Sequence, residues 1–161
     1  MSNRLSPPAM DPVSLVPRTG SSYPKQYQEA VKKRNKRVLG DALGLSRFGV
    51  NLVELAPGAW SAQRHWHSAE DEFVYVVSGE VTLITDSGRQ LLGPGMAAGF
   101  PAGKADGHHL VNASGETAAY LEVGDRDPGD EVRYPDIDLV LTAGPAGRVF
   151  CHNDGRPYDE D

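Results

Sequence analysis

From Arg47 to Val123 the chain alternates strand-like runs with turn signals so closely that no helix fits between them. Arg47–Ala56 ends at Pro57-Gly58, and Phe73–Val77 and Val81–Thr85 flank Ser78-Gly79-Glu80, the signature of a hairpin. Asp86-Ser87-Gly88 turns the chain into Gln90–Leu92, Pro94-Gly95 turns it again, and His108–Asn112 and Thr117–Val123 surround Ala113–Glu116. Parallel strands need crossover helices, so strands at this spacing predict an all-β antiparallel sandwich or barrel-like roll. A length of 161 residues supports one such core and not two.

The flanks read differently. Residues 1–24 carry Pro7, Pro8, Pro12, Pro17 and Pro24 among small polar residues, an arm that cannot form a helix or an interior strand. Residues 25–40 favour helix (Gln26, Glu29, Ala30, Lys32, Lys33, Arg37), with Tyr27, Val31 and Leu39 roughly on one face and Gly40 as a stop. The β core is expected over 45–124. The polar tail, 125–161, is expected to add short strands near Leu139–Leu141 and Val149–Phe150 that pack on the barrel.

A net charge of -6 gives no electrostatic case for nucleic acid. The basic run Lys32-Lys33-Arg34, Lys36, Arg37 is expected to be a solvated helix face. One cysteine, Cys151, cannot form an internal disulfide and fits a reducing compartment. With neither a signal-peptide core nor a membrane-spanning run, the cytoplasm is the expected location and no membrane partner is expected.

Four of the five histidines fall in two clusters, His65-Trp66-His67 and His108-His109. Side chains alternate along a strand, so His65 and His67 share a face. With Glu72 nearby, that face offers imidazole and carboxylate, the usual ligands of first-row transition metals. Trp66, Arg64 and Cys151 fall off this pattern. Trp66 is expected to pack away from the ligands, Arg64 to lie at the surface, and Cys151 and His152 to point apart as adjacent strand residues.

The first cluster runs from Gly58 through His65-x-His67 to Glu72, with six residues between Glu72 and Gly79. The second runs Gly95, Pro101-Ala-Gly103, His108 and then Asn112, four positions further. These stretches resemble the two motifs of the cupin superfamily over about residues 55–113. The N-terminal extension and Tyr134-Pro135-Asp136 are similar to a bacterial group of small single-domain cupins that carries no assigned reaction. The resemblance implies a double-stranded β-helix, or jelly roll, with one short helix in the N-terminal extension. It assigns the metal ligands to His65, His67, Glu72 and His108. One departure stands out: four residues separate Gly103 from His108 where the common pattern has two. His108 is preferred over His109 because it precedes Asn112 by four, whereas His109 projects to the opposite face by alternation. Glu72 is preferred over Glu70 and Asp71, which are expected to face solvent.

Three neutral imidazoles and one carboxylate leave a divalent ion with net positive charge and open positions, which favours an anionic or chelating oxygen donor. Iron or manganese is the first expectation, with zinc, nickel or copper also compatible. The expected activity is an oxygenase acting on a small anionic or chelating metabolite. The alternatives are a non-redox isomerase, epimerase or lyase, or a small-molecule sensor. Candidates for moving a proton are Tyr120, Glu122, His109 and Tyr75. Phe100 and Met96 are candidates for the cavity wall, and Lys104 and Asp106, on the lengthened loop before His108, for selecting substrate. Exposed sheet edges, which the arm and helix could cover, predict a homodimer.

Overall fold

The computed structural model describes residues 5–158. Among the described residues thirteen strands follow one another: β1 (Arg18–Thr19), β2 (Arg34–Val38), β3 (Phe48–Leu55), β4 (Trp66–His67), β5 (Glu72–Ser78), β6 (Val81–Thr85), β7 (Gly88–Leu92), β8 (Ala97–Phe100), β9 (His109–Val111), β10 (Ala118–Asp125), β11 (Val132–Tyr134), β12 (Leu139–Gly144) and β13 (Gly147–Cys151). Every strand pair is antiparallel. They form a six-stranded sheet ordered β1-β2-β3-β10-β5-β8, a four-stranded sheet β13-β12-β11-β4 and a three-stranded sheet β7-β6-β9. This is the all-β jelly roll.

The main core lies between the six- and three-stranded sheets, where alternate residues of β3 (Val53, Leu55), β5 (Val74, Val76) and β10 (Ala118, Tyr120) meet Val81, Leu83, Leu92 and Leu110. A second cluster joins the N-terminal segment to the tail through Tyr23, Val31, Val132, Tyr134 and Leu139. The tail strands therefore complete the sheet that carries His67 on β4. Gly79 closes the β5–β6 hairpin at φ +69, where a Cβ would lie 2.7 Å from Ala118 Cα. Only glycine fits that close approach.

The helix expected over 25–40 is not there. Lys25–Tyr27 and Glu29–Val31 are single 3-10 turns, Arg34–Val38 is strand β2, and a short α-helix, α1, covers Leu39–Ala42. Helix-favouring composition loses here because the edge of β3 offers five residues of backbone pairing to Arg34–Val38. The arm then adds β1 beyond β2, so the extension covers a sheet edge as expected, but as strand.

Candidate metal centre

The backbone of His65 pairs with that of His108 in an antiparallel bridge, His65 N–H donating to the His108 carbonyl at 3.1 Å and His108 N–H to that of His65 at 2.8 Å. His67 follows on β4, and Glu72 opens β5 with its side chain on the inner face shared by Val74 and Val76. Across the sheet, Glu72 pairs with Gly124 on one side and Phe100 on the other. A Cβ on Gly124 would sit 3.3 Å from the Asp71 carbonyl and 3.7 Å from Glu72 Cγ, so glycine leaves the carboxylate its place.

The three Nε2 atoms converge on one oxygen. Glu72 Oε2 lies 2.7 Å from His108, 3.3 Å from His67 and 3.4 Å from His65. His65 Nδ1 is 2.9 Å from the Gln63 carbonyl and His67 Nδ1 is 2.7 Å from Asp130 Oδ2. Both partners are acceptors, so the proton of each neutral ring sits on Nδ1 and a bare Nε2 faces the carboxylate. Lone pairs opposing a carboxylate require a positive charge between them, and the four side chains fit a divalent cation on that ground. His108 is held otherwise. Its ring stacks on Phe100 at 3.5 Å with planes 1° apart, and its buried Nδ1 has no hydrogen-bond partner among the described residues.

Electrostatics follow the geometry. Burial opposes charge on Glu72, but in the metal-free site His108, His65 and His67, when their Nε2 atoms carry protons, hold its carboxyl well below the usual range. Burial likewise disfavours the His67 imidazolium, yet Glu72 and Asp130 outweigh it and push its pKa up to about 9. Desolvation dominates for His108, whose pKa is lowered.

Asp130 was not foreseen. It is buried, and besides His67 it receives the Ala69 N–H at 2.9 Å and the Arg148 guanidinium at 2.8 Å. It lies about sixty residues from its histidine in a stretch without a motif, so only the fold reveals it. Glu70 faces the same nitrogen at 3.5 Å with its side chain 12% exposed, contrary to the expectation that it lies in solvent. Asp71 is exposed and accepts from Ala102 N–H at 2.7 Å.

A cavity of about 260 Å³ reaches His65, His67, Glu72 and His108. Its other walls include Arg34 and Lys36 from β2, Tyr120 and Glu122 from β10, and Arg148 from β13. The basic run expected to be a solvated helix face thus sends two of its cations inward. Their period-two spacing on a strand was the signal available. Arg34 anchors itself on the carbonyls of Ser61 and Gly20, at 2.5 and 2.6 Å. Phe100 lines this cavity and also a second one of about 390 Å³, which His67, His108, Trp66, Lys104 and Asp106 share.

Of the proton-moving candidates, Tyr120 and Glu122 line the cavity, and the Tyr120 hydroxyl is buried without a hydrogen-bond partner among the described residues. His109 also borders it, but Nδ1 is taken by the Ala62 carbonyl at 3.0 Å and the ring stands edge-on to Trp60. Tyr75 is a correction: strand alternation turns it outward, 41% exposed. Met96 is another. The turn at Gly95 precedes β8, the sulfur folds back onto Gly93 N–H, and the side chain is 52% exposed. Arg64 lies only partly at the surface, since Asp136 grips it with two bonds of 2.7 Å and its side chain is 16% exposed.

The jelly roll, with three histidines and a glutamate gathered inside it, is cupin architecture with a candidate metal site. The family profile described as Cupin domain matches residues 51–124. The chain is 43% identical to a sugar phosphate isomerase of the cupin superfamily from Silicibacter pomeroyi, over 96% of this chain and 98% of that one, with a TM-score of 0.90. A candidate sugar phosphate isomerase from Acidithiobacillus ferrooxidans is 32% identical over 80% of this chain and 81% of its own, with a TM-score of 0.70. The polyketide cyclase RemF of Streptomyces resistomycificus is 25% identical over 79% of this chain and 84% of its own, at TM-score 0.64. No curated protein matches the chain. The chain belongs to the cupin superfamily. Among the described residues no helix is long and apolar enough to cross a membrane.

Proposed function

We propose that the protein is a metal-dependent isomerase of phosphorylated sugars or comparable anionic hydroxy-carbonyl compounds. One observation carries this reading: three cations, Arg34, Lys36 and Arg148, wall the same 260 Å³ cavity as the four ligand-type side chains. A chain 43% identical over nearly its whole length bears the description sugar phosphate isomerase. His65, His67, Glu72 and His108 would hold one divalent ion per chain. Such an ion supplies Lewis-acid polarisation of a carbonyl. Lys36 and Arg148 are paired with Glu122 and Asp130. Arg34, which among the described residues is bonded only to carbonyls, therefore leads in drawing the anionic end of the substrate. The strands around the cavity exclude water from the reacting carbons.

The test is conversion of phosphorylated aldoses and ketoses by protein loaded in turn with iron, manganese, zinc and nickel. Phosphorylated sugars are expected to react and their unphosphorylated counterparts to fail. The oxygenase reading, which rests on the ligand set alone, requires dioxygen consumption, and turnover under anaerobic conditions excludes it. A metal-loaded protein that converts no phosphorylated sugar refutes the isomerase. The chain is also proposed to act as a homodimer, supported by the exposed apolar Phe73, Tyr75 and Val77 on one face of β5. A monomer by light scattering refutes that.

A further inference from the structure

Two acids line the cavity, and only Glu72 belongs to the ligand cluster. The other is Glu122. Residues that pair across a sheet share a face, so the register places Glu122 level with Asn51 and Val74, one inward step along the sheet from the Gly124–Glu72 pair. Lys36 Nζ donates to Glu122 Oε1 at 2.7 Å and Asn51 Nδ2 donates to the same oxygen at 2.9 Å. Oε2 takes part in neither bond. The side chain is 22% exposed and lines the cavity, which leaves Oε2, unbonded among the described residues, as the oxygen available to a molecule bound there.

We propose that Glu122 is the catalytic base of this site, taking a proton from substrate carbon with Oε2 while Lys36 and Asn51 fix the carboxylate through Oε1. The inference rests on the isomerase reading and adds the group that moves the proton. In an aldose–ketose interconversion the C2–H bond breaks and its proton joins Oε2. The electron pair forms the C1–C2 double bond, and the carbonyl π electrons settle on O1 to give an enediolate. The O2 proton passes to O1, O2 re-forms a carbonyl, and Glu122 returns its proton to C1. Atoms and electrons balance, and no oxidant is consumed.

Burial opposes charge on Glu122, but Lys36 and Asn51 hold it below the usual carboxylate range, so the base is ionised when substrate arrives. Lys36 and Asn51 are positioning residues: they hold the carboxylate and touch no reacting atom. The competing role for the pair is purely structural, a tie between β2 and β10 across β3.

The experiment follows, by NMR in deuterium oxide, loss of the C2 proton from an aldose phosphate and of a C1 proton from a ketose phosphate. It uses metal-loaded protein with ribose 5-phosphate, arabinose 5-phosphate, glucose 6-phosphate and fructose 6-phosphate. Glu122→Gln is expected to keep its metal content and KM but to lose exchange and kcat by at least about 100-fold. The double variant Glu122→Gln/Lys36→Met, which removes both charges together, serves if the single change unfolds the protein: the same loss of kcat is expected of it, with KM raised because Lys36 also belongs to the cationic wall. A second readout needs neither activity nor metal. Bromohydroxyacetone phosphate should alkylate Glu122 in metal-free protein, the carboxylate displacing bromide to form an ester visible by peptide mass spectrometry. Exchange that persists in a folded Glu122→Gln variant overturns the base while leaving the isomerase intact. Absence of exchange by the wild type with every sugar phosphate overturns the isomerase and the base with it. Labelling confined to other residues overturns the accessible Oε2.

Discussion

Replacing Asp130 by Asn removes a single charge beyond the ligand cluster and should weaken the metal centre through His67. The carboxylate receives His67 Nδ1–H on Oδ2 at 2.7 Å, Arg148 on Oδ2 at 2.8 Å, and the Ala69 N–H on Oδ1 at 2.9 Å. An asparagine must keep its one oxygen on the backbone donor, which turns its NH₂ toward His67. The NH₂ then faces two donors, His67 Nδ1–H and the Arg148 guanidinium: Arg148 must turn away, and the conflict with His67 is relieved when its proton moves to Nε2, the atom that faces Glu72. Ligation must reverse that tautomer. Loss of such a partner weakens metal binding by about 10–100-fold, or roughly 1.4–2.7 kcal/mol. Competition against a chromophoric chelator at neutral pH measures this directly, with far-UV circular dichroism to show that the roll is intact. Wild-type affinity in a folded Asp130→Asn protein would refute the reasoning.

Further expectations concern the histidines, the pH response and the hairpin. His108→Ala should lose metal in the same chelator assay, whereas His109→Ala should keep it, because the His109 ring is engaged by the Ala62 carbonyl and Trp60. His67 is raised from 6.5 to about 9 in the metal-free protein, so the stability it confers is complete below 6.5 and disappears as pH climbs through 9. The slope is about 1.4 kcal/mol per pH unit, read from urea midpoints. Because the same proton competes with the ion, metal affinity should rise about tenfold per unit across that window and then level off. A flat affinity profile contradicts this. Gly79→Ala places a Cβ 2.7 Å from Ala118 Cα at positive φ, and should cost more than about 1 kcal/mol in urea unfolding.

How much of this was legible in the chain depends on distance along it. The turn dipeptides and alternating runs between Arg47 and Val123 are local signals, and they produced the antiparallel roll because each hairpin is decided by its own few residues. The gathering of the candidate ligands was legible because His65, His67 and Glu72 sit within eight residues and the spacing to Asn112 pointed to His108. Residues 25–40 misled because propensity is weak evidence against the free edge of β3, which no local window displays. The partners that make the cluster a site come from the ends of the chain. Arg34 and Lys36 arrive on an edge strand, Asp130 leads into β11, and Arg148 lies on β13. Their meeting is a product of sheet order, which periodicity cannot supply. Tyr75 and Met96 show the reverse case, residues next to the motifs that one step of pleat or one turn sends outward.

The claim beneath all of this is that three imidazoles and one carboxylate bind a single metal ion inside the roll. Elemental analysis of protein purified without chelators or a histidine tag, run beside His67→Ala, tests it most directly. The account predicts one divalent transition metal per wild-type chain and none in a variant that remains folded. Metal-free wild-type protein that takes up no ion on reconstitution, or an unchanged metal content in the variant, would contradict it.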